Sequence, residues 1–445
     1  MRSIAVLSFV LLLVSNMGLI ADAKEPAADA VPMALQEYVA AKDDSYAWKI
    51  LKNDSSDDFL TYDIELTSQV WQGITWKHAL TVFVPVSDLE HNDTVLLFIM
   101  GGSTGGKPGA DDRAMGQKLA ASARMPVAFL YQVPNQPLLG DRKEDDLISE
   151  TFLKYIETKD ATWPLLFPMV KSAVKAMDAL QEIAIQKHDQ KIERFVVTGG
   201  SKRGWTTWLS AVADKRVAGI APIVIDTLNF RPQMKHQKET WGRYSEQIAD
   251  YTLKGLLDVM QKQPEIPIWQ WVDPYTYRNQ LTLPKLVING TNDRYWVIDA
   301  LNLYWDDLPG DKHVLYVPNA GHGLDGGKEN ALKTLAVFAQ HIALQQPLPA
   351  VTWKHDDDSD GGGEQMRLVV RSTPAPKAVR LWTAHSDDKD FRPDHWDATP
   401  ITVDSDGAYV AHVAKPATGH VAFFAEATYE FGPLEYGLST QIRQE

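Results

Sequence analysis

Phe195-Val196-Val197-Thr198-Gly199-Gly200-Ser201-Lys202-Arg203-Gly204-Trp205 is an apolar run that stops at a glycine-flanked serine. A hydroxyl is a useful nucleophile only when a base takes its proton, and a sharp strand-to-helix turn would present it to one. Such a turn strains the backbone and needs small neighbours, which Gly199 and Gly200 supply. The usual spacing is Gly-x-Ser-x-Gly, whereas here Arg203 holds the fifth place and Gly204 follows it. Without a base and an acid elsewhere, the same residues would serve as a plain helix N-cap.

Two later loops supply those partners in the chain order serine, acid, histidine that hydrolases of this kind use. Leu286-Val287-Ile288-Asn289-Gly290-Thr291-Asn292-Asp293 ends an apolar run in a turn and an acid. Val314 to Val317 leads into Pro318-Asn319-Ala320-Gly321-His322-Gly323, and of 12 histidines His322 alone follows a late apolar run in a glycine-bracketed loop. His322 would shuttle the Ser201 proton while Asp293 fixes its tautomer. Asp226, directly after the run Ile220 to Ile225, is the alternative acid, and Asp299 a weaker one. The chemistry expected is acyl transfer from an ester or amide to water.

An oxyanion hole for that reaction needs backbone N–H groups. Lys202, next after the nucleophile, would give one, and the loop Gly101-Gly102-Ser103-Thr104-Gly105-Gly106 the other, through Gly102 or Ser103. That loop lacks the Gly-Lys-Ser/Thr ending of a nucleotide-binding loop. Cations at a helix N-terminus are disfavoured by about 0.3–1 kcal/mol, so Lys202 and Arg203 require compensation. Either structural carboxylates provide it, or one of the two, with Arg203 the candidate, meets an acidic substrate group or the oxyanion.

These loops must be held by a sheet. Val95 to Met100, Pro126 to Leu130, Phe195 to Thr198, Ile220 to Ile225, Leu286 to Ile288 and Val314 to Val317 are short and continuously apolar, as strands buried on both faces of a parallel sheet are. Tyr62 to Leu66 and Ala79 to Pro85 suit an antiparallel pair opening that sheet. The stretch Pro168 to Ile185 carries apolar residues every three or four positions and predicts a helix. Alternating strands and helices make a doubly wound α/β domain, placed at about 33–346, and with the elbow an α/β-hydrolase core.

Residues 228–283 interrupt the alternation and predict a helical cap whose aromatics, Trp241 among them, either line a pocket or fill the cap's own core. Tyr295, just after the expected acid, is a further pocket candidate. From about 350 to 445, short alternating stretches separated by turns predict a small C-terminal β-sandwich. The acidic turn from Asp356 begins like a calcium loop, but Arg367 stands where a bidentate glutamate is needed, so a solvated turn is expected.

Residues 1–23 have a basic start at Arg2, an apolar stretch from Ile4 to Val14 and the small-residue site Ala21-Asp22-Ala23, a signal peptide by pattern, so the product is expected to be exported, periplasmic or secreted. No run predicts a permanent transmembrane anchor. The chain has no cysteine, which excludes disulfides, a thiolate nucleophile and cysteine-based metal sites. A formal net charge of −14 without a clustered basic surface argues against a nucleic-acid partner. No metal or organic cofactor is implied, and the expected partner is a small ester or peptide substrate.

Val196 to Asn229, with its string Ser-Lys-Arg-Gly-Trp-Thr-Thr-Trp, closely resembles the PhoPQ-activated pathogenicity-related proteins, as do Gln132 to Leu138, Trp163 to Leu180 and Tyr304 to His322. The resemblance runs from about Leu35 to His322 and more loosely beyond, and implies an α/β-hydrolase fold. It also implies a link to envelope stress and resistance to cationic antimicrobial peptides, and an amoebal relative is a secreted proliferation repressor. No substrate follows from it. After the Asp293 position this chain has Arg294-Tyr295-Trp296, where the family often has a second acid and aromatics. The elbow is also similar to that of glucuronoyl esterases. A second reading is a catalytically silent signalling or binding protein on the same scaffold.

Overall fold

The computed structural model describes residues 31–87, 89–357 and 365–445. The expected signal peptide lies outside them, as does most of the acidic turn after Asp357. After the short helix α1 (Ala34–Ala40), nine strands build the central sheet: β1 (Ala47–Ser55), β2 (Phe59–Trp71), β3 (Ile74–Pro85), β4 (Thr94–Ile99), β5 (Val127–Leu130), β6 (Arg194–Gly200), β7 (Val217–Ile223), β8 (Lys285–Gly290) and β9 (Lys312–Val317). Their order is β1-β2-β3-β5-β4-β6-β7-β8-β9. From β5 to β9 every pairing is parallel, while β1, β2, β3 and β5 pair antiparallel. Setting β1 aside, the strand order and the single reversed strand β3 are those of an α/β-hydrolase sheet.

Burial explains why the parallel strands were visible in the sequence. Every residue of β4, β5 and β8 is buried, so apolar side chains are required on both faces. Helices supply the cover. On one side α2 (Ala110–Ala123) packs against α10 (Lys328–Leu344); on the other α4 (Leu166–His188) packs against α1 and α5 (Lys202–Ala213). Between them in sequence lies α3 (Glu144–Thr158), with an acidic first turn Glu144-Asp145-Asp146. The pattern reading singled out neither α3 nor β1, whose residues are largely exposed and carry no apolar alternation.

Between β7 and β8 the chain forms the short helices α6 (Phe230–Trp241), α7 (Ala249–Leu253), α8 (Leu256–Lys262) and α9 (Ile268–Val272), with tight turns at Glu246–Ile248 and Pro274–Gln280. The C-terminal strands divide between two sheets. Strands β10 (Ala350–Asp357), β11 (Gln365–Thr373) and β14 (Tyr409–Ala414) form a three-stranded antiparallel sheet. Strands β12 (Ala378–Ser386), β13 (Asp397–Ile401), β15 (His420–Phe431), β16 (Leu434–Ser439) and β17 (Arg443–Gln444) extend the central sheet, because β16 pairs with β9 at Ser439 and Val314. Leu368 and Val370 of β11 share one apolar core with Leu381 and Phe423 of the extension and with Phe338 of α10. This continuity with the central sheet is absent from the sequence expectation.

Candidate active site

The chain leaves β6 at Gly200 and enters α5 at Lys202, so one residue, Ser201, makes the whole turn. Its backbone sits at φ 56° and ψ −123°, outside the basins that L-residues occupy at no cost. The Ser201 N–H donates to Ile223 O of β7 (2.8 Å) and Trp205 N–H donates to Ser201 O (3.0 Å), which pins the turn between strand and helix. A Cβ on Gly199 would lie 2.8 Å from Arg203 Cβ, and one on Gly204 2.6 Å from Ile225 Cγ2. Gly200 has open space around it. The tight approaches are therefore at Gly199 and Gly204, not Gly199 and Gly200, and the one-place displacement of the last glycine keeps its packing role.

His322 Nε2 lies 2.9 Å from Ser201 Oγ and Nδ1 lies 2.8 Å from Asp293 Oδ2. An ionised carboxylate only accepts, so in the neutral ring Nδ1 carries the proton and Nε2 is free to accept the Ser201 hydroxyl. The second Asp293 oxygen accepts the Tyr295 N–H at 2.9 Å. The Asp293 side chain is 5% exposed and that of His322 28%. Tyr295 stacks on the imidazole with ring centroids 4.3 Å apart and planes 31° from parallel, limiting how the ring turns. The two loops that carry acid and base are tied together where Asn292 N–H donates to Ala320 O.

Asp226 and Asp299 are not on the histidine. Asp226, at the end of β7, accepts from the Tyr304 hydroxyl (2.6 Å) and Asn289 Nδ2 (2.9 Å). Burial raises its carboxyl to a pKa of about 7; the Tyr304 hydrogen bond opposes that and the Asp293 charge adds to it. Asp299 contacts His236 Nε2 (2.5 Å) and accepts from Gln444 Nε2 (2.8 Å).

The two cations after the nucleophile are met by carboxylates from the first turn of α3. Lys202 Nζ is 2.6 Å from Asp145 Oδ2 and donates to the Tyr295 hydroxyl at 3.2 Å. Burial works against its charge, yet Asp145 leaves the lysine pKa above its ordinary value. Arg203 forms a two-pronged pair with Glu144 (both 2.7 Å) and donates through Nε to Val133 O (2.6 Å). Burial favours the neutral form of Glu144, but the guanidinium bonds hold its pKa below the usual value. Three of the five Arg203 N–H groups are thereby taken by Glu144 and a main-chain carbonyl, while the residue also lines an opening beside His322. The reading of Trp241 as a substrate-binding residue is corrected: it packs under Arg392, 3.9 Å from the guanidinium carbon to the ring centre, and lines no part of the hollow at Ser201.

Strands β4 and β6 run parallel with Ile99 opposite Gly199, which brings the loop after β4 alongside the elbow. Gly102 adopts φ 108°, a conformation only glycine takes without cost, and both Gly102 and Ser103 are exposed. The loop is fixed by Thr104 N–H donating to Gln136 O and Gly106 N–H donating to Ser103 O, while among the described residues the Gly102 and Ser103 N–H groups have no protein acceptor. Lys202 begins α5, so its N–H lies outside the helical ladder as well.

A hollow of about 690 Å³, its open mouth included, reaches Ser201, Lys202 and Tyr295. Its walls come from Phe152 of α3, Trp205 of α5 and Phe230, Met234, Met260 and Trp269 of the inserted helices. Sequence reasoning missed Glu144, Asp145 and Phe152, because nothing local marks the start of α3 as a partner for residues nearly 60 positions later. Among the described residues no group of three or more His, Asp or Glu side chains is arranged to hold a metal ion.

The "Autocrine proliferation repressor protein A" of Dictyostelium discoideum is 33% identical over 426 residues, covering 89% of this chain and 85% of that one. Among solved structures, acetyl xylan esterase 1 from a Thermoanaerobacterium species covers 69% of this chain and 91% of its own at 15% identity and a TM-score of 0.45. A glucuronoyl esterase from Solibacter usitatus covers the same shares, 69% and 91%, at 12% identity and a TM-score of 0.46. Residues 35–392 match the family described as PhoPQ-activated pathogenicity-related protein. That span takes in the elbow, both partner loops and the inserted helices, and the chain belongs to this family.

Proposed function

We propose that this protein is an exported serine hydrolase that cleaves an ester or amide bond. The observation that carries the reading is the unbroken series from Ser201 Oγ through His322 to Asp293, at 2.9 and 2.8 Å, on a serine held at a positive φ. In the first half-reaction Ser201 Oγ bonds to the carbonyl carbon as its proton passes to His322 Nε2, and Asp293 stabilises the imidazolium. Backbone N–H groups of Lys202 and Gly102 or Ser103 would receive the developing oxyanion. The carbon–leaving-group bond then breaks and His322 returns the proton to the departing atom. Water repeats the sequence on the acyl-enzyme and frees Ser201.

The helices between β7 and β8 would act as a cap, since Phe230, Met234 and Met260 close over a hollow that Ser201 also lines. The C-terminal strands would brace β9, from which the His322 loop departs. Residues 1–23 would direct export, and the mature chain would begin at Lys24. No described helix is long and apolar enough to cross a membrane.

A fluorophosphonate probe tests the proposal. Labelling of the wild type that disappears in Ser201→Ala, with the fold intact by circular dichroism, is the expected result. A folded, unlabelled wild type would instead favour a silent binding or signalling role.

A further inference from the structure

Ser201 and His322 stand between two hollows. The more apolar chamber, about 690 Å³ with its mouth, is lined by Ser201 but not by His322, whereas a second opening of about 810 Å³ is lined by Gly101, Gly200, Arg203 and His322 but not by Ser201. In acyl transfer the acyl carbon becomes bonded to the serine, and the imidazole hands its proton to the leaving group. The placement therefore sorts the two halves of a substrate, acyl group to the chamber and leaving group to the His322 side.

The chamber's chemistry narrows the acyl group. Its only ionised side chains are Asp145 and Lys202, which are 2.6 Å apart, with side chains 12% and 11% exposed. Asp145 also accepts from the hydroxyls of Tyr251 (3.0 Å) and Tyr295 (3.2 Å). The charges are matched to each other, and Lys202 directs two of its three N–H groups to Asp145 and Tyr295. A substrate carboxylate or ammonium entering here would lose its water without gaining a counter-charge. An apolar group loses nothing and gains contact with Phe152, Trp205, Phe230, Met260 and Trp269.

Building on the serine-hydrolase reading, we infer that the substrate carries an uncharged, bulky apolar acyl group, aromatic or medium-chain aliphatic, seated in the chamber under α6 and α8. On this account the residues beside the nucleophile, Lys202 included, exclude charged acyl groups instead of recruiting them. Any charged group on the substrate therefore belongs on the leaving-group side.

The test uses the mature chain and para-nitrophenyl esters that share one leaving group: acetyl, butyryl, hexanoyl, phenylpropanoyl, aminohexanoyl and the succinyl half-ester. The expected result is a rise in kcat/KM of about fourfold per added methylene through hexanoyl, phenylpropanoyl close behind, and the two charged esters at or below acetyl. Met260→Trp, which fills the chamber, should bring the hexanoyl-to-acetyl ratio towards one; if that variant does not fold, the wild-type series decides alone. A wild type that takes the fluorophosphonate label yet shows a flat series, or prefers a charged acyl group, overturns this inference and leaves the hydrolase reading standing. Absence of labelling removes the premise, and both fall together.

Discussion

Asp293 and Asp226 stand at the ends of adjacent parallel strands, β8 and β7, and are 4% and 3% exposed. Their neighbours differ in kind. Asp293 spends one oxygen on the imidazole and the other on a main-chain N–H, so its contacts point along the path to Ser201. Asp226 meets neutral donors, the Tyr304 hydroxyl, the Asn289 amide and the Leu301 main-chain N–H, and no cation. Around it Asn289 Oδ1 and the Tyr316 hydroxyl are buried without a hydrogen-bond partner. A buried carboxyl in such surroundings keeps its proton to a higher pH, which is the cause of its pKa of about 7. The same residue type just past equivalent strand ends thus contacts an imidazole in one place and, in the other, sits among neutral groups that favour its protonated form. What decides is the loop that follows each strand.

The widest separation between the two should appear in turnover. Asp293→Asn leaves the ring without a charged partner and places an amide against Nδ1, so kcat on an activated ester should fall about 10⁴-fold. Asp226→Asn should stay within about threefold of wild type, because no contact of Asp226 reaches His322 or Ser201. Equal losses in both variants would mean that the two acids work as one unit, and the comparison would break.

From sequence, the strand-turn-acid context favours Asp293 for the histidine and leaves Asp226 a structural or cap-hinge carboxylate, but the contacts that separate them are not visible there. Each follows an apolar run, and what separates them is that the His322 loop closes on Asn292, a contact between loops 28 residues apart. The parallel strands were legible because burial on both faces leaves an unmistakable apolar run, as in Thr94–Ile99. Strand β1 was not, because an exposed edge strand such as Ala47–Ser55 carries no such constraint. The partners of Lys202 and Arg203 were hidden for another reason: charge at the helix N-terminus demands compensation, but the chain supplies it from Glu144 and Asp145 through tertiary packing alone. Trp241 misled because aromatic residues in an inserted segment look alike whether they face a hollow or, as here, an arginine.

A smaller effect, in stability, should separate the acids by pH. In the unfolded chain Asp226 titrates near 3.8, and in the fold near 7. Between those values the native state holds a proton that the unfolded state has lost, so this group's contribution is fully present below about pH 4 and declines until about pH 7. The decline amounts to roughly 4 kcal/mol. Asp226→Asn never ionises, and rotation of the Asn289 amide can present Oδ1 to it. Relative to wild type the variant should therefore gain stability between pH 4.5 and pH 8, measured as the difference in urea midpoints. A difference that stays constant across that range would show that Asp226 is ionised throughout and ordinary in its titration.

The smallest effect sharpens the same distinction from the partner's side. Tyr304→Phe removes the hydroxyl that donates to Asp226 and leaves the ring in place. With Asp226 protonated the lost bond is between neutral groups, worth about 1 kcal/mol; with Asp226 ionised it is charge-assisted, worth roughly 2 kcal/mol. The variant should then be destabilised more at pH 8 than at pH 5, opposite in sign to the trend of Asp226→Asn. Its kcat at either pH should follow the wild type, since the Tyr304 hydroxyl touches Asp226 and not Asp293. If kcat instead falls in step with the ionisation of Asp226, the charge at the end of β7 is felt by the imidazole. The two strand ends would then be coupled through the repulsion between their carboxylates.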